Sequence, residues 1–194
     1  KHIPTRAGLA GGSADAAAAI RIINRMCNLH LTKDEMIAVG KEVGADVPFC
    51  ILNQPAFVEG IGEKITTFSC NPDFYLLLIK PRKGVSTAEA FHIVDEQEGI
   101  HPDCMAMQEA LESNDYDGII SSLGNSMENA AMTFVPEIRN AKQDLLELGF
   151  DGVLMSGSGS TVFGITKDVE LLDRSIDILK KKRYFVRKTT VHTR

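Results

Sequence analysis

The spacing of apolar and polar positions predicts two helices near the start of the chain. Four consecutive alanines, and the apolar residues that follow them at intervals of three and four, form the buried stripe of a helix over 13–28. Thr32 and Glu35 have the spacing of a capping box, so a second helix is expected to begin there and to end at Gly44. The first quarter of the chain is therefore predicted to be mostly helical.

Later positions mix helical and strand periodicities. Apolar or alternating runs predict strands over 56–59, 74–80, 153–155, 161–165 and 184–191, of which the second suits the centre of a sheet. Apolar residues at helical spacing predict helices over 87–94, 105–112, 115–122, 136–148 and 169–181, with Gly149 ending the fourth. Turn residues at 71–72 mark a domain boundary, and the part beyond it is expected to combine helices with an antiparallel sheet.

Composition narrows the class of protein. With 194 residues, 44% of them hydrophobic and 24% charged, the chain is typical of soluble globular proteins rather than disordered, collagen-like or disulfide-stapled ones. No apolar run approaches the roughly 20 residues that cross a bilayer. The cysteines are spaced too irregularly for a zinc site and too sparsely for a disulfide scaffold, which favours reduced thiols in a cytoplasmic protein. They are Cys27, Cys50, Cys70 and Cys104.

The two ends of the chain carry separate signals. It begins at Lys1 without a methionine and reaches a glycine-rich segment within seven residues, so we interpret it as lacking its opening portion. Residues 180–194 carry seven lysines or arginines and no acid, whereas the net charge of the whole chain is −5. We interpret Lys180, Lys181 and Lys182 as complements to the negative end of a helix dipole rather than as a nucleic-acid patch, because the rest of the chain is acidic.

The first chemical motif, over 4–15, is a loop of small residues that runs directly into the alanine-rich helix. Exposed N–H groups and the helix dipole at such a junction form an anion site that suits nucleotide phosphates. A tight turn with close helix packing explains the glycines equally well. Ser13 could ligate Mg²⁺ or a phosphate oxygen, or it could cap the helix.

Two familiar phosphate-binding loops do not fit this segment. A Walker loop needs a lysine after its last glycine, where this chain has Ser13. The dinucleotide-binding fingerprint needs a strand directly before its glycines, where this chain has Pro4 and no visible strand. A nucleotide bound here would therefore be held by a loop of another kind.

Two further motifs follow. Residues 44–49, Gly-Ala-Asp-Val-Pro-Phe, hold Asp46 between small and apolar neighbours on a segment stiffened by Pro48. Desolvation there would make Asp46 more basic and suit it to act as a general base, whereas an aspartate capping a short helical turn is the structural alternative. Residues 154–163 place alternating Ser and Gly between two strands, which forms either a hairpin loop or one wall of a nucleotide pocket.

The order of the three motifs resembles the GHMP kinase superfamily, from Lys1 nearly to the end of the chain. The resemblance implies an α+β GHMP kinase fold. A partial, ATP-binding N-terminal domain, ribosomal protein S5 domain 2-like, is expected over 1–71, and a ferredoxin-like α/β sandwich is expected as the C-terminal domain over 72–194. Residues 44–49 and the turn 60–63, Gly-Ile-Gly-Glu, are similar to those of members that phosphorylate a cytidine diphosphate-linked methylerythritol in the non-mevalonate (MEP) isoprenoid pathway.

Position by position, the resemblance implies a set of site residues. The ATP-binding positions are Lys1, Pro4, Ala7, Gly8, Leu9, Ala10, Gly11, Gly12, Ser13 and Ala14. Ser13 is also the residue expected near Mg²⁺, and Asp46 corresponds to the catalytic aspartate. Thr87 and Phe91 are expected to bind the substrate, with Phe91 stacked on its cytosine. A phenylalanine buried in a helix core is the alternative for that position.

The implied reaction is transfer of the ATP γ-phosphoryl group to the 2-hydroxyl of that substrate. Asp46 would orient or deprotonate the hydroxyl, while Mg²⁺ and loop amides would stabilise the developing charge. The expected partners are ATP and the small-molecule substrate, without nucleic acid or membrane, in a monomer or homodimer. Two alternatives stay open: a non-catalytic nucleotide-binding or assembly module, and another kinase of the superfamily that acts on homoserine or mevalonate.

Overall fold

The computed structural model describes residues 3–86 and 101–191, and these form two compact units. The first unit comprises Ala10–Cys70. The second unit comprises residues 3–9 together with Asn71–Val191. The domain limits expected from the sequence remain a prediction; in the structure, the segment before Ala10 belongs to the same unit as the later part of the chain.

The first unit consists of helices followed by a hairpin. Its elements are α1 (Gly11–Met26), α2 (Lys33–Val43), α3 (Val47–Leu52), β1 (Ala56–Glu59) and β2 (Lys64–Thr67). The two strands are antiparallel neighbours. A small core built on Ala17, Val47 and Ile51 forms where the helices meet, because each helix turns an apolar stripe toward the others.

The capping box at the start of α2 is confirmed. The Glu35 N–H donates to Thr32 Oγ1 at 3.3 Å, and the Thr32 N–H donates to Glu35 Oε2 at 2.8 Å. Hydrogen bonds from the Thr32 N–H and hydroxyl lower the pKa of Glu35. The start of α1 differs from the prediction: the helix begins at Gly11 rather than at residue 13, because Ala10 adopts the left-handed conformation (φ 45°) that precedes it. The sequence did not predict β2, whose side chains are mostly exposed.

The second unit combines an antiparallel sheet with helices. Its strands are β3 (Tyr75–Lys80), β4 (Gly152–Met155), β5 (Val162–Thr166) and β6 (Phe185–Thr190). In the described part of the chain its helices are α4 (Cys104–Ser113), α5 (Tyr116–Ser121), α6 (Glu128–Phe134), α7 (Glu137–Leu148) and α8 (Val169–Lys181). The strand order is β4-β5-β3-β6, with every neighbouring pair antiparallel. This βαββαβ arrangement is ferredoxin-like, as expected.

Helices pack against both faces of this sheet. Leu77 and Ile79 of β3 lie in a core to which α7 and α8 contribute several buried side chains. Ile165 of β5 lies in a second cluster, with Ala110 of α4 and Ile119 of α5. Because side chains alternate along a strand, the two clusters occupy opposite faces. The sheet is therefore the middle layer of the second unit.

Most of the predicted elements of the second unit are confirmed to within one or two residues. β3 lies between β5 and β6, the central position expected for it, and Gly149 ends α7 with a φ of 98°. The helix predicted over 87–94 lies outside the described residues. The sequence did not predict α6, whose buried residues are Ala130 and Ala131 and give only a weak apolar signal. No helix in the described ranges is long and apolar enough to cross a membrane.

Candidate functional site

In the second unit, the segment 3–9 is hydrogen-bonded to the Ser–Gly loop, which we define as residues 156–161. The Ser156 hydroxyl donates to the Gly8 carbonyl oxygen at 2.7 Å. The Thr161 N–H donates to the Ala7 carbonyl oxygen at 3.2 Å. Two of the sequence motifs are thus brought together, and Ala7 is buried in the process.

Gly8 is the closest point of approach between these two segments. Its φ is +66°, and a Cβ atom built on it would lie 2.0 Å from the Ser156 carbonyl oxygen and 2.7 Å from the Gly159 nitrogen. Both neighbours are backbone atoms, which cannot move aside as the end of a flexible side chain can. Glycine is therefore required here for both its conformation and its size.

The held carbonyls also fix the direction of two N–H groups. In a planar trans peptide the N–H points opposite to the C=O. Because the Ser–Gly loop binds the carbonyls of Ala7 and Gly8, the N–H groups of Gly8 and Leu9 point away from that loop. Within the described part of the chain neither N–H has an acceptor, so both are available to an anion.

In the first unit, the N-terminus of α1 carries unpaired donors as well. Ala10 precedes the helix and provides no side-chain cap, and the first helical bond runs from the Ala14 N–H to the Ala10 carbonyl oxygen at 2.9 Å. The N–H groups of Gly11, Gly12 and Ser13 therefore lack helical partners. No acidic residue occupies the first turn, so the positive end of the dipole is not neutralised locally. The arrangement suits a phosphate group.

Ser13 and Ala14 differ in whether their backbone N–H groups are available to a ligand. Ser13 is the third residue of α1 rather than its cap, so the capping alternative for its hydroxyl is wrong. The Ala14 N–H is already used within the helix, which leaves it no backbone donor for a ligand. Among the predicted ATP-binding positions, the donors at the start of α1 are thus Gly11, Gly12 and Ser13.

Asp46 directly precedes α3 in the first unit. Its side chain makes no capping hydrogen bond, so the structural alternative for it is wrong. The residue is exposed, so the burial expected around it from the sequence is not found in this structure. Burial, and then the charge of Asp46, raises the pKa of the nearby Cys50 thiol. The Asp46 carboxylate is open to a ligand, whereas burial disfavours the thiolate form of Cys50.

The turn between β1 and β2 packs against the residue next to Asp46. Gly62 has a φ of +104°, and a Cβ on it would lie 2.8 Å from the Ala45 carbonyl oxygen. Glu63 stabilises the turn by accepting a hydrogen bond from the Ile61 N–H at 2.6 Å. The Gly-Ile-Gly-Glu turn and the Gly-Ala-Asp motif, which are separate in sequence, are therefore neighbours in the fold.

Sequence reasoning missed two residues that hold the Ser–Gly loop and the strand end before it in place. Asn125 Nδ2 donates to the carbonyl oxygens of Met155 and Gly157, at 2.8 Å each. Glu128 Oε1 accepts from the Met155 N–H at 2.9 Å. Both lie about thirty positions from their partners, so no local spacing pattern could have revealed them.

Lys80 is a third residue that sequence reasoning missed. It ends β3 with only 5% of its surface exposed, and its Nζ donates to the carbonyl oxygens of Pro81 at 2.9 Å and Lys83 at 3.4 Å. Burial lowers its pKa. The Lys83 carbonyl oxygen also accepts from the Ser160 hydroxyl at 2.6 Å. Lys80 therefore stabilises the segment 81–83, and the Lys83 carbonyl of that segment also binds Ser160 of the Ser–Gly loop.

Three predicted site residues, Lys1, Thr87 and Phe91, lie outside the described residues. Pro4 is half-buried in the segment 3–9. Across ranges 3–86 and 101–191, there is no group of three or more His, Cys, Asp or Glu side chains that could hold a metal ion.

Comparisons with known proteins define the class. The family model "GHMP kinases N terminal domain" matches residues 1–58, and "GHMP kinases C terminal" matches 107–184. A crystal structure of 4-(cytidine 5'-diphospho)-2C-methyl-D-erythritol kinase superposes with a TM-score of 0.79 at 30% identity, covering 97% of this chain and 68% of that one. The chain belongs to the GHMP kinase family.

Within the family, curated relatives point to a particular enzyme. The chain is 44% identical over 174 residues to 4-diphosphocytidyl-2-C-methyl-D-erythritol kinase of Geobacillus sp. (strain WCH70), which covers 90% of this chain and 60% of the relative. It is 41% identical over 180 residues to the kinase of the same name from Enterococcus faecalis, covering 93% and 64%. The chain thus spans about three fifths of the length of these relatives. A homoserine kinase from Cytophaga hutchinsonii superposes with a TM-score of 0.82 at 21% identity, which shows the common fold.

Proposed function

We propose that the intact protein is an ATP-dependent kinase that phosphorylates the 2-hydroxyl of 4-diphosphocytidyl-2-C-methyl-D-erythritol, in the non-mevalonate (MEP) isoprenoid pathway. The observation that carries the proposal is the 44% identity to an enzyme of that name over 174 residues. The structure supports it through the unpaired N–H groups of Gly8 and Leu9, through those of the first three residues of α1, and through the open carboxylate of Asp46.

ATP phosphates are the anions that the free donors would bind. In the first unit, the N–H groups of Gly11, Gly12 and Ser13 combine with the helix dipole. In the second unit, the N–H groups of Gly8 and Leu9 are kept free because the Ser–Gly loop holds the neighbouring carbonyls. Neutral backbone donors bind phosphate without requiring a lysine from the loop, which agrees with the absence of a Walker lysine after Gly12.

Asp46 would orient the substrate hydroxyl and accept its proton. Its carboxylate is exposed and bears no capping hydrogen bond, so a substrate can reach it. Such a base operates within hydrogen-bond distance of the proton it accepts. When bound with ATP, Mg²⁺ neutralises charge on the phosphate oxygens, and Ser13 is the residue we place near it. Thr87 and Phe91 would bind the substrate, with Phe91 stacked on its cytosine.

The proposal is tested with the intact protein and three candidate acceptors. ADP formation is measured with 4-diphosphocytidyl-2-C-methyl-D-erythritol, homoserine and mevalonate in parallel. Turnover with the cytidine diphosphate compound is expected. Turnover with homoserine or mevalonate, and none with the first acceptor, would show another kinase of the same family. Titration calorimetry with Mg-ATP addresses the other alternative, because nucleotide binding without turnover on any acceptor would identify a non-catalytic module.

A further inference from the structure

Asn125 uses its entire side-chain amide to hold other parts of the second unit. Its Nδ2 donates to the carbonyl oxygens of Met155 and Gly157, at 2.8 Å each, and its Oδ1 accepts from the Met127 N–H at 2.9 Å. An Asn amide has two N–H donors, and here both are engaged. The side chain therefore links the start of α6 to the end of β4 and to the Ser–Gly loop.

The two carbonyls held by Asn125 flank Ser156. Ser156 donates its hydroxyl to the Gly8 carbonyl oxygen, and a Cβ at Gly8 would clash with the Ser156 carbonyl oxygen. A displacement of Ser156 would therefore move the Gly8 peptide with it. The Leu9 N–H belongs to that same peptide plane, so its direction depends on where Ser156 is placed.

The loop has internal bonds that fix its shape but do not anchor it. The Ser156 N–H donates to the Thr161 carbonyl oxygen at 2.8 Å, and the Gly159 N–H donates to the Ser156 carbonyl oxygen at 2.9 Å. Both partners in each bond lie within the Ser–Gly loop, so the loop could move as a whole without breaking them. Residues outside the loop anchor it: the Lys83 carbonyl accepts from Ser160, Glu128 accepts from the Met155 N–H just before the loop, and Asn125 holds the carbonyls on either side of Ser156.

The geometry points to Asn125 as a positioning residue: it fixes Ser156 and, through Ser156, directs the Leu9 N–H toward the nucleotide phosphates, beside the Gly8 N–H that the Thr161 bond to Ala7 directs. Asn125 itself touches no reacting atom in this scheme. The inference rests on the proposed function in one respect, that the ligand of these N–H groups is a nucleotide phosphate. The effect on the loop can be measured without any ligand.

Two substitutions separate the donors of Asn125 from its acceptor. Asn125→Asp keeps an oxygen for the Met127 N–H but removes both donors and places a carboxylate beside two carbonyl oxygens. Asn125→Ala removes donors and acceptor together. Tyr184→Phe is the matched control: it also deletes one side-chain hydrogen bond of the second unit, from the Tyr184 hydroxyl to Asp144 Oδ2 at 2.8 Å, without touching the Ser–Gly loop.

The first readout is amide hydrogen exchange in the folded chain, without ligand. Exchange at Ser156, Gly159 and Thr161 is expected to be about tenfold faster in both Asn125 variants, because loss of the anchor favours local opening. Tyr184→Phe should leave these amides unchanged. The second readout is Mg-ATP affinity by calorimetry with the intact protein. The dissociation constant is expected to rise about tenfold in both Asn125 variants, equivalent to about 1.4 kcal/mol, and to remain unchanged in Tyr184→Phe.

The outcomes distinguish this inference from the proposed function. Unchanged exchange in Asn125→Asp would overturn the inference whatever the protein does with ATP. Faster exchange together with wild-type Mg-ATP affinity would overturn it as well, because the anchored loop would then not position a phosphate site. If the wild-type protein binds no Mg-ATP, the proposed function fails, while the exchange experiment still decides whether Asn125 sets the loop. Should Asn125→Ala not fold, Asn125→Asp supplies the same comparison.

Discussion

The Ser156 hydroxyl donates a hydrogen bond of 2.7 Å to the Gly8 carbonyl oxygen, across 148 positions of sequence. Closing a loop of that length has an entropic cost, which one hydrogen bond is too weak to offset alone. The bond therefore depends on the packing of the rest of the second unit. The two residues depend on each other: Ser156 supplies the donor, and Gly8, which has no Cβ, allows the close approach.

The absence of a side chain at Gly8 is expected to be essential for stability. Gly8→Ala introduces a Cβ 2.0 Å from the Ser156 carbonyl oxygen at a φ of +66°, so we expect a loss of at least about 3 kcal/mol in the free energy of unfolding. Gly12→Ala is the control, because its Cβ has nothing within 4 Å and alanine favours a helix by up to about 1 kcal/mol. Urea denaturation followed by circular dichroism measures both. Equal stability of the two variants would contradict the close approach at Gly8.

Thr161 carries a buried hydroxyl that the fold does not use. In the described residues Thr161 Oγ1 has no hydrogen-bond partner, and the residue is fully buried. Thr161→Val keeps the shape of the side chain and removes the unsatisfied oxygen. We therefore expect the free energy of unfolding to rise by about 1 kcal/mol, as measured by thermal or urea denaturation.

Thr166→Val provides the matched comparison for that substitution. Thr166 is also buried, but its Oγ1 accepts from the Asp168 N–H at 3.0 Å, just before α8. Here the same substitution should lower the free energy of unfolding by about 1 kcal/mol, because it leaves the Asp168 N–H without its acceptor. Changes of the same sign in both variants would show that hydrogen bonding at Oγ1 does not determine the effect.

Features encoded by local sequence could be predicted, and features set by distant contacts could not. The capping box of Thr32 and Glu35 and the end of α7 at Gly149 depend on neighbouring residues, and both are found in the structure. The role of Asn125 depends on carbonyls about thirty positions away, which only the fold brings near it. Such polar contacts leave no periodic trace in a sequence.

The candidate site shows the same division. The motifs at 4–15 and 44–49 indicate the chemistry because glycines and a lone aspartate restrict what a loop can do. The predicted start of α1 at Ser13 differs from the observed start at Gly11. Serine is a common residue at a helix start, whereas the fold begins this helix after Ala10 in the left-handed conformation. The motifs thus indicated the family, but not which backbone groups at the start of α1 are free.

Lys80 should make stability depend on pH in the alkaline range. Burial holds the pKa of Lys80 below its ordinary value of 10.5. Between the lowered pKa of the folded state and 10.5, the unfolded chain binds more protons than the folded one, so stability rises with pH across that window. Lys80→Met removes this contribution. The difference in unfolding free energy between wild type and Lys80→Met should therefore shift in favour of wild type as pH rises toward 10.5. Parallel pH profiles of the two proteins would contradict the effect of burial on Lys80.

Asp46 should affect turnover without affecting nucleotide affinity. Asp46→Asn keeps the size of the side chain but removes its capacity to accept a proton, so we expect kcat of the intact protein to fall by about 10²- to 10⁴-fold, the usual contribution of a general base. The dissociation constant for Mg-ATP should stay near its wild-type value, because the free backbone donors that we propose as the phosphate site lie on other segments. Asp34→Asn, an exposed acid in the first turn of α2, is the control and should leave kcat unchanged. A steady-state assay of ADP formation and calorimetry with Mg-ATP measure the two quantities. If Asp46→Asn weakened Mg-ATP binding and left kcat intact, Asp46 would belong to the nucleotide site rather than to proton transfer.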